Sequence, residues 1–117
     1  MTRAGFLGQL ELMVLLAAMH LGDGAYGVAI SRAIEARSGR RVSLAGVYAA
    51  LEGLEARKLV SSRRGVPTTE RGGKARVYFT PTSAGRREVR ETWDTLLGLQ
   101  GNGSAWSGAG RADASRA

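Results

Sequence analysis

The sequence predicts a mostly α-helical domain carrying a two-stranded β-wing: a winged helix-turn-helix with a C-terminal dimerisation helix. Three observations predict it. Three segments with helical apolar spacing follow one another before Lys58. Two short runs rich in strand-forming residues come next, LVSSR and ARVYFT, joined by a polar stretch holding Pro67 and Gly72-Gly73. That hairpin is basic, with Arg63, Arg64, Arg71, Lys74 and Arg76 against the single acid Glu70. Three helices followed by a basic hairpin is the order of a winged helix-turn-helix. Its third helix enters the major groove of DNA, and the hairpin lies along the backbone or minor groove.

In the first helix, after Gly8, Leu10, Met13, Val14, Ala17, Ala18 and Leu21 recur at three- and four-residue steps. Gly22 closes it, and Asp23-Gly24 extends the turn. The second helix spans Tyr26 to Ser38, with Tyr26, Ile30, Ala33 and Ile34 on one face and Arg32, Glu35 and Arg37 outward, and Gly39 ends it. Tyr26 is expected to pack between these two helices. Ser43 is a good N-cap for a third helix, in which Leu44, Val47, Tyr48, Leu51 and Leu54 form the inward stripe up to about Lys58. Its outward positions are then Ala45, Gly46, Ala49, Ala50 and Gly53.

Beyond the hairpin, Thr82 or Ser83 caps a fourth helix running to Leu97, with Val89, Trp93, Leu96 and Leu97 in a stripe among charged residues. Order is expected to fade from Gly98. The chain therefore divides into a DNA-binding domain over 7–81, a dimerisation helix over 82–99 and a disordered Gly/Ser/Ala-rich tail over 100–117.

A formal net charge of +7 and a sequence pI of about 11.0 favour a polyanionic partner, and five like charges beside a helix-turn-helix point to double-stranded DNA. Cysteine is absent, which excludes thiolate chemistry, and with His20 the only histidine a zinc site is not expected. Glu52 with Glu55 and Glu88 with Glu91 stand three apart on outward helix faces and solvate rather than catalyse. Neither an enzyme nor a cofactor site is expected. The apolar run LMVLLAAM is far shorter than the roughly 20 residues of a bilayer-spanning helix. Met1 to Gly8 lacks the charge pattern of a signal peptide, so a cytoplasmic location is expected.

Three stretches resemble the PadR family of bacterial transcriptional regulators: LGQLELMVLLAAMHLGDGAYGVAI, VSLAGVYAALEGLEARKLVSS and ERGGKARVYFTPTSAG. They match that family's first two helices, its recognition helix, and its wing with the capped start of the last helix. The resemblance covers about residues 7–97. It implies a homodimeric repressor that binds operator DNA and is released by a small effector, often aromatic or cationic.

The residues expected to meet DNA are Ser43, Ala45, Gly46, Tyr48 and Ala49 on the third helix and Arg63, Arg64, Arg71, Lys74 and Arg76 on the wing. Val89, Trp93, Leu96 and Leu97 are expected at the dimer contact, where paired Trp93 rings can sandwich a flat effector. Small outward side chains on the third helix make direct base readout sparse. The other reading that fits them is a winged-helix module for protein contacts or ligand sensing, without operator specificity.

Overall fold

The structure, a computed structural model, describes residues 7–67 and 75–101. Its first helix, α1 (Gln9–Leu21), starts at Gly8. Gly8 has no side chain to cap the helix, so Glu11 reaches back and accepts the Gly8 N–H at 3.0 Å. The same carboxylate meets the Arg57 guanidinium at 3.4 Å, with both side chains about three-quarters buried, which ties α1 to the third helix. Gly22 ends α1 with φ 62°, ψ −127°, a positive φ outside the left-handed helical basin, and leads into a 3-10 turn over Gly22–Gly24.

Helix α2 (Gly27–Ser38) ends on Gly39 in the left-handed conformation, as the sequence predicts. Helix α3 (Leu44–Ala56) is capped by Ser43, whose Oγ accepts the Gly46 N–H at 2.9 Å. It is terminated by Lys58 at φ 63°, a left-handed conformation that glycine would adopt without strain. The three helices bury Val14, Leu15, Ile30, Val47, Leu51 and Leu54 in one core.

Strands β1 (Val60–Arg64) and β2 (Val77–Pro81) pair antiparallel, with Ser62 opposite Phe79 and Arg63 opposite Tyr78. Side chains alternate across a pleat. Val60 and Phe79 accordingly close the core, while Arg63 and Tyr78 share the other face. Tyr26 forms an isolated antiparallel bridge with Tyr78, and the Phe79 N–H donates to the Ala25 carbonyl at 2.8 Å. The segment before α2 thus adds a single isolated bridge to the edge of the two-stranded sheet. This corrects the expected place of Tyr26, which joins the wing instead of packing between α1 and α2.

Thr82 caps α4 (Ser83–Gln100), accepting the Gly85 N–H at 3.0 Å and donating its hydroxyl to the Lys58 carbonyl at 2.8 Å. The helix has 18 residues, about 27 Å at 1.5 Å per residue. It continues through Gly98 to a stop at Gly101, so the expected loss of order at Gly98 is corrected: a lone glycine does not break a helix already propagating. The tail beyond Gly101 and the wing tip with Glu70, Arg71, Gly72, Gly73 and Lys74 lie outside the described residues.

Candidate nucleic-acid interface

The exposed face of α3 is rotated from the expected one. Ser43, Leu44, Ala45, Tyr48, Ala49 and Glu52 face solvent, with Tyr48 43% exposed. Ala50, expected outward, is buried at 8%. Gly46 and Gly53 flank α1: a Cβ at Gly46 would touch Ser43 Oγ and Leu10, and one at Gly53 would press on Glu11 Oε2 at 3.2 Å. Gly46 is half-buried and packs toward Leu10 of α1. Leu44 and Tyr48, expected in the buried stripe, occupy its edge. Three-and-four spacing fixes the centre of a stripe well and its margins poorly.

Tyr48 reaches across to α2. Its ring lies over Gly27 so closely that a Cβ there would collide with it. Glycine at the start of α2 thus lets the α3 tyrosine lie flat on the neighbouring backbone. Together with Tyr26, Val28, Arg32, Arg76 and Val77, Tyr48 lines a cleft of about 330 Å³ between the helices and the wing base. The sequence places Arg32 merely outward; nothing in its spacing says that β2 comes to stand beside it.

The wing basic residues separate into different roles. Arg63 lies with its guanidinium 4.7 Å from the centroid of Tyr78 and donates from Nη2 to the Asp23 carbonyl at 3.3 Å. Arg76 lies 4.3 Å from the centroid of Tyr26. The two rings meet edge to face, with centroids 5.7 Å apart. Arg64 is exposed on the opposite face of β1. In the loop before α3, Arg41 meets Glu35 at 3.8 Å with its side chain 86% exposed.

On α4, Val89 is buried at 7% against the chain's own core, and it lines the groove beside Trp93. Trp93, Leu96, Leu97 and Leu99 are exposed. Two apolar grooves flank the helix where it passes α1, one including Leu16, Met19 and Trp93, the other Leu7, Leu12, Leu96 and Leu99. Among the described residues there is no group of three or more His, Asp or Glu that could hold a metal ion. No described helix is long and apolar enough to cross a membrane.

Residues 15–91 match the model of the transcriptional regulator PadR-like family. Among solved structures the chain is similar to a transcriptional regulator from Clostridium thermocellum, at 20% identity and TM-score 0.67, over 78% of this chain and 82% of that one. It is similar to a PadR family transcription regulator from hypervirulent Clostridium difficile, at 20% identity and TM-score 0.63, over 80% and 95% of the two chains. A third similar structure is Bordetella bronchiseptica BpsR, whose DNA binding is regulated by 6-hydroxynicotinic acid, at 23% identity and TM-score 0.59, over 86% and 70%. At such identities these likenesses speak for the winged-helix fold. No curated protein matches the chain.

Proposed function

Because the chain belongs to the PadR-like family of transcriptional regulators, we propose that it is a repressor that binds operator DNA as a homodimer, with α3 in the major groove and the wing on the backbone. One observation carries this reading. Tyr48 belongs both to the exposed face of α3 and to the cleft that the exposed Arg32 of α2 also lines, so the α3 face and positive charge adjoin. The net charge of +7 supplies the long-range attraction.

On that face Leu44, Ala45 and Ala49 offer apolar contact with thymine methyl groups, and Glu52 can accept from a cytosine amino group. With so few hydrogen-bonding groups, DNA shape carries much of the specificity. The dimer uses α4, whose Trp93, Leu96, Leu97 and Leu99 stand ready for a second copy. A small aromatic effector is part of the proposal: Trp93 offers a flat ring at that contact, and ligand control of DNA binding is a property of the structurally similar BpsR. Operator binding places the protein in the cytoplasm.

Selection of bound fragments from genomic DNA, followed by salt titration on the enriched site, tests the reading. If the dimer neutralises about six to eight phosphates, log K falls against log salt with a slope of about −5 to −7. Half-sites one DNA turn apart, about 34 Å, are expected. A flat salt response overturns the DNA reading. Strong salt dependence with no enriched palindrome instead favours a module without operator specificity, the reading that the small side chains Ala45 and Ala49 support.

A further inference from the structure

Two of the five basic residues on the wing are turned onto the protein. Arg63 stands directly opposite Tyr78 in the β1–β2 register and covers its ring at 4.7 Å. Tyr78 meets the edge of Tyr26 across the isolated bridge, and Arg76 covers Tyr26 at 4.3 Å. The result is an unbroken row, Arg63–Tyr78–Tyr26–Arg76, across the base of the wing. Its members come from β1, β2, the loop before β2 and the segment leading into α2. The row continues into the turn after α1, since Arg63 Nη2 also donates to the Asp23 carbonyl at 3.3 Å. Gly65 closes its outer end: its N–H donates to the Arg76 carbonyl at 2.6 Å, and a Cβ there would strike the Tyr78 ring.

A guanidinium stacked on a tyrosine face is attracted by the ring quadrupole and held in one orientation. Each such contact is modest on its own, here between half-buried Tyr26, Arg76 and Tyr78 and the exposed Arg63. Placed in series across three chain segments, they fix the angle at which the hairpin leaves the domain. That angle decides whether the wing reaches the DNA backbone when α3 is seated.

We propose that Arg63 and Arg76 are positioning residues that splint the wing base to the start of α2, and that charge neutralisation on the hairpin falls to outward residues such as Arg64. The inference rests on the DNA-binding reading for its purpose, while the splint itself is a property of the free protein. Sequence alone counts all five basic residues as phosphate ligands; the row removes two of them from that role.

Two measurements on the full chain test it. The first is amide hydrogen exchange of Phe79 without DNA, because its N–H donates to Ala25 and reports whether β2 stays joined to the segment before α2. Arg63→Gln combined with Arg76→Gln should speed this exchange about five- to thirty-fold, the change expected when two cation–π pairs are removed. Arg64→Gln should leave it unchanged. Tyr78→Phe keeps the ring and should match the wild type, whereas Tyr78→Leu should resemble the double arginine variant.

The second measurement is the salt slope on the enriched DNA site. The double variant should bind about five- to thirty-fold more weakly with its slope unchanged, while Arg64→Gln should flatten the slope by about one for each phosphate it leaves without a cation. Unchanged Phe79 exchange in the double variant overturns the proposal, whatever the DNA result. So does a slope flattened as in Arg64→Gln, which would make the two arginines phosphate ligands. Absence of salt-dependent binding by the wild type would sink the DNA-binding reading instead, and the exchange measurement would still decide the splint.

Discussion

At Gly27 the absent side chain does as much for the interface as any side chain present. The Tyr48 ring occupies the space a Cβ would take, which holds an exposed tyrosine of α3 flat against the first turn of α2. Gly27→Ala should therefore drive Tyr48 off its seat. The cost is about 1–3 kcal/mol of stability if the ring is forced into strain, and less if it swings into solvent. Either way the cleft with Arg32 and Arg76 loses a wall, and operator affinity should fall. A double-mutant cycle with Tyr48→Ala separates the contact from a general helix effect. If Gly27 acts through the ring, adding Gly27→Ala to Tyr48→Ala should weaken operator binding by little more than Tyr48→Ala alone. Full additivity of the two effects would show that the glycine matters for another reason. The relation is invisible in the sequence. Tyr48 keeps helical step with Leu44 and Leu51, and only the packing angle of α2 on α3 decides that its ring leaves the core at the edge of that stripe.

Among the elements, the four helices are legible because most of their ends are written in glycine and hydroxyl residues, and the hairpin because its runs favour strands. Gly39 supplies a left-handed stop, and Ser43 and Thr82 each accept the N–H three residues on. The bridge from Tyr26 to β2 is not legible. Ala25 and Tyr26 are too few to show alternation, and they bridge to β2 only because it presents an unpaired edge. Nor can the register be read, since a long polar loop leaves open which residue faces Tyr78 and hence which arginines turn inward. The junction of α4 makes a sharper prediction. Gly85 lies so close to the Leu59 carbonyl that a Cβ would overlap backbone, which cannot move aside as a side chain can. Gly85→Ala should cost at least as much as Gly27→Ala, about 2–3 kcal/mol or more, or roughly 8–24 °C in Tm for a domain of this size. Thr82→Ala, which removes the cap and the hydrogen bond to the Lys58 carbonyl, should cost about 1–2 kcal/mol. A Gly85→Ala protein that melts with the wild type would mean that α4 does not start against Leu59 as described.

For the molecule as a whole, the apolar surface left on α4 is what the proposed dimer would cover. Of the 18 residues of α4 only Gly85 and Val89 are buried, while Trp93, Leu96, Leu97 and Leu99 are exposed beside the two grooves shared with α1. A helix this weakly tied to its own domain gains most of its stability by packing against something else. A second copy related by a two-fold axis offers the same stripe and the same grooves in return. Leu96→Gln with Leu99→Gln tests this without altering the net charge of +7. The wild type should sediment as a dimer and melt at a temperature that rises with protein concentration, because association stabilises the folded state by mass action. The variant should sediment as a monomer, show no such concentration dependence and keep the fold of residues 7–81, whose core does not involve these leucines. Its apparent operator affinity should drop by about 10²- to 10⁴-fold, since two half-sites are no longer engaged by one linked pair of domains. The salt slope should fall to about half, each monomer now neutralising only its own phosphates. A wild type that sediments as a monomer at micromolar concentration, or a variant that keeps full operator affinity, would remove α4 from the dimer contact and leave its leucine stripe to a different partner.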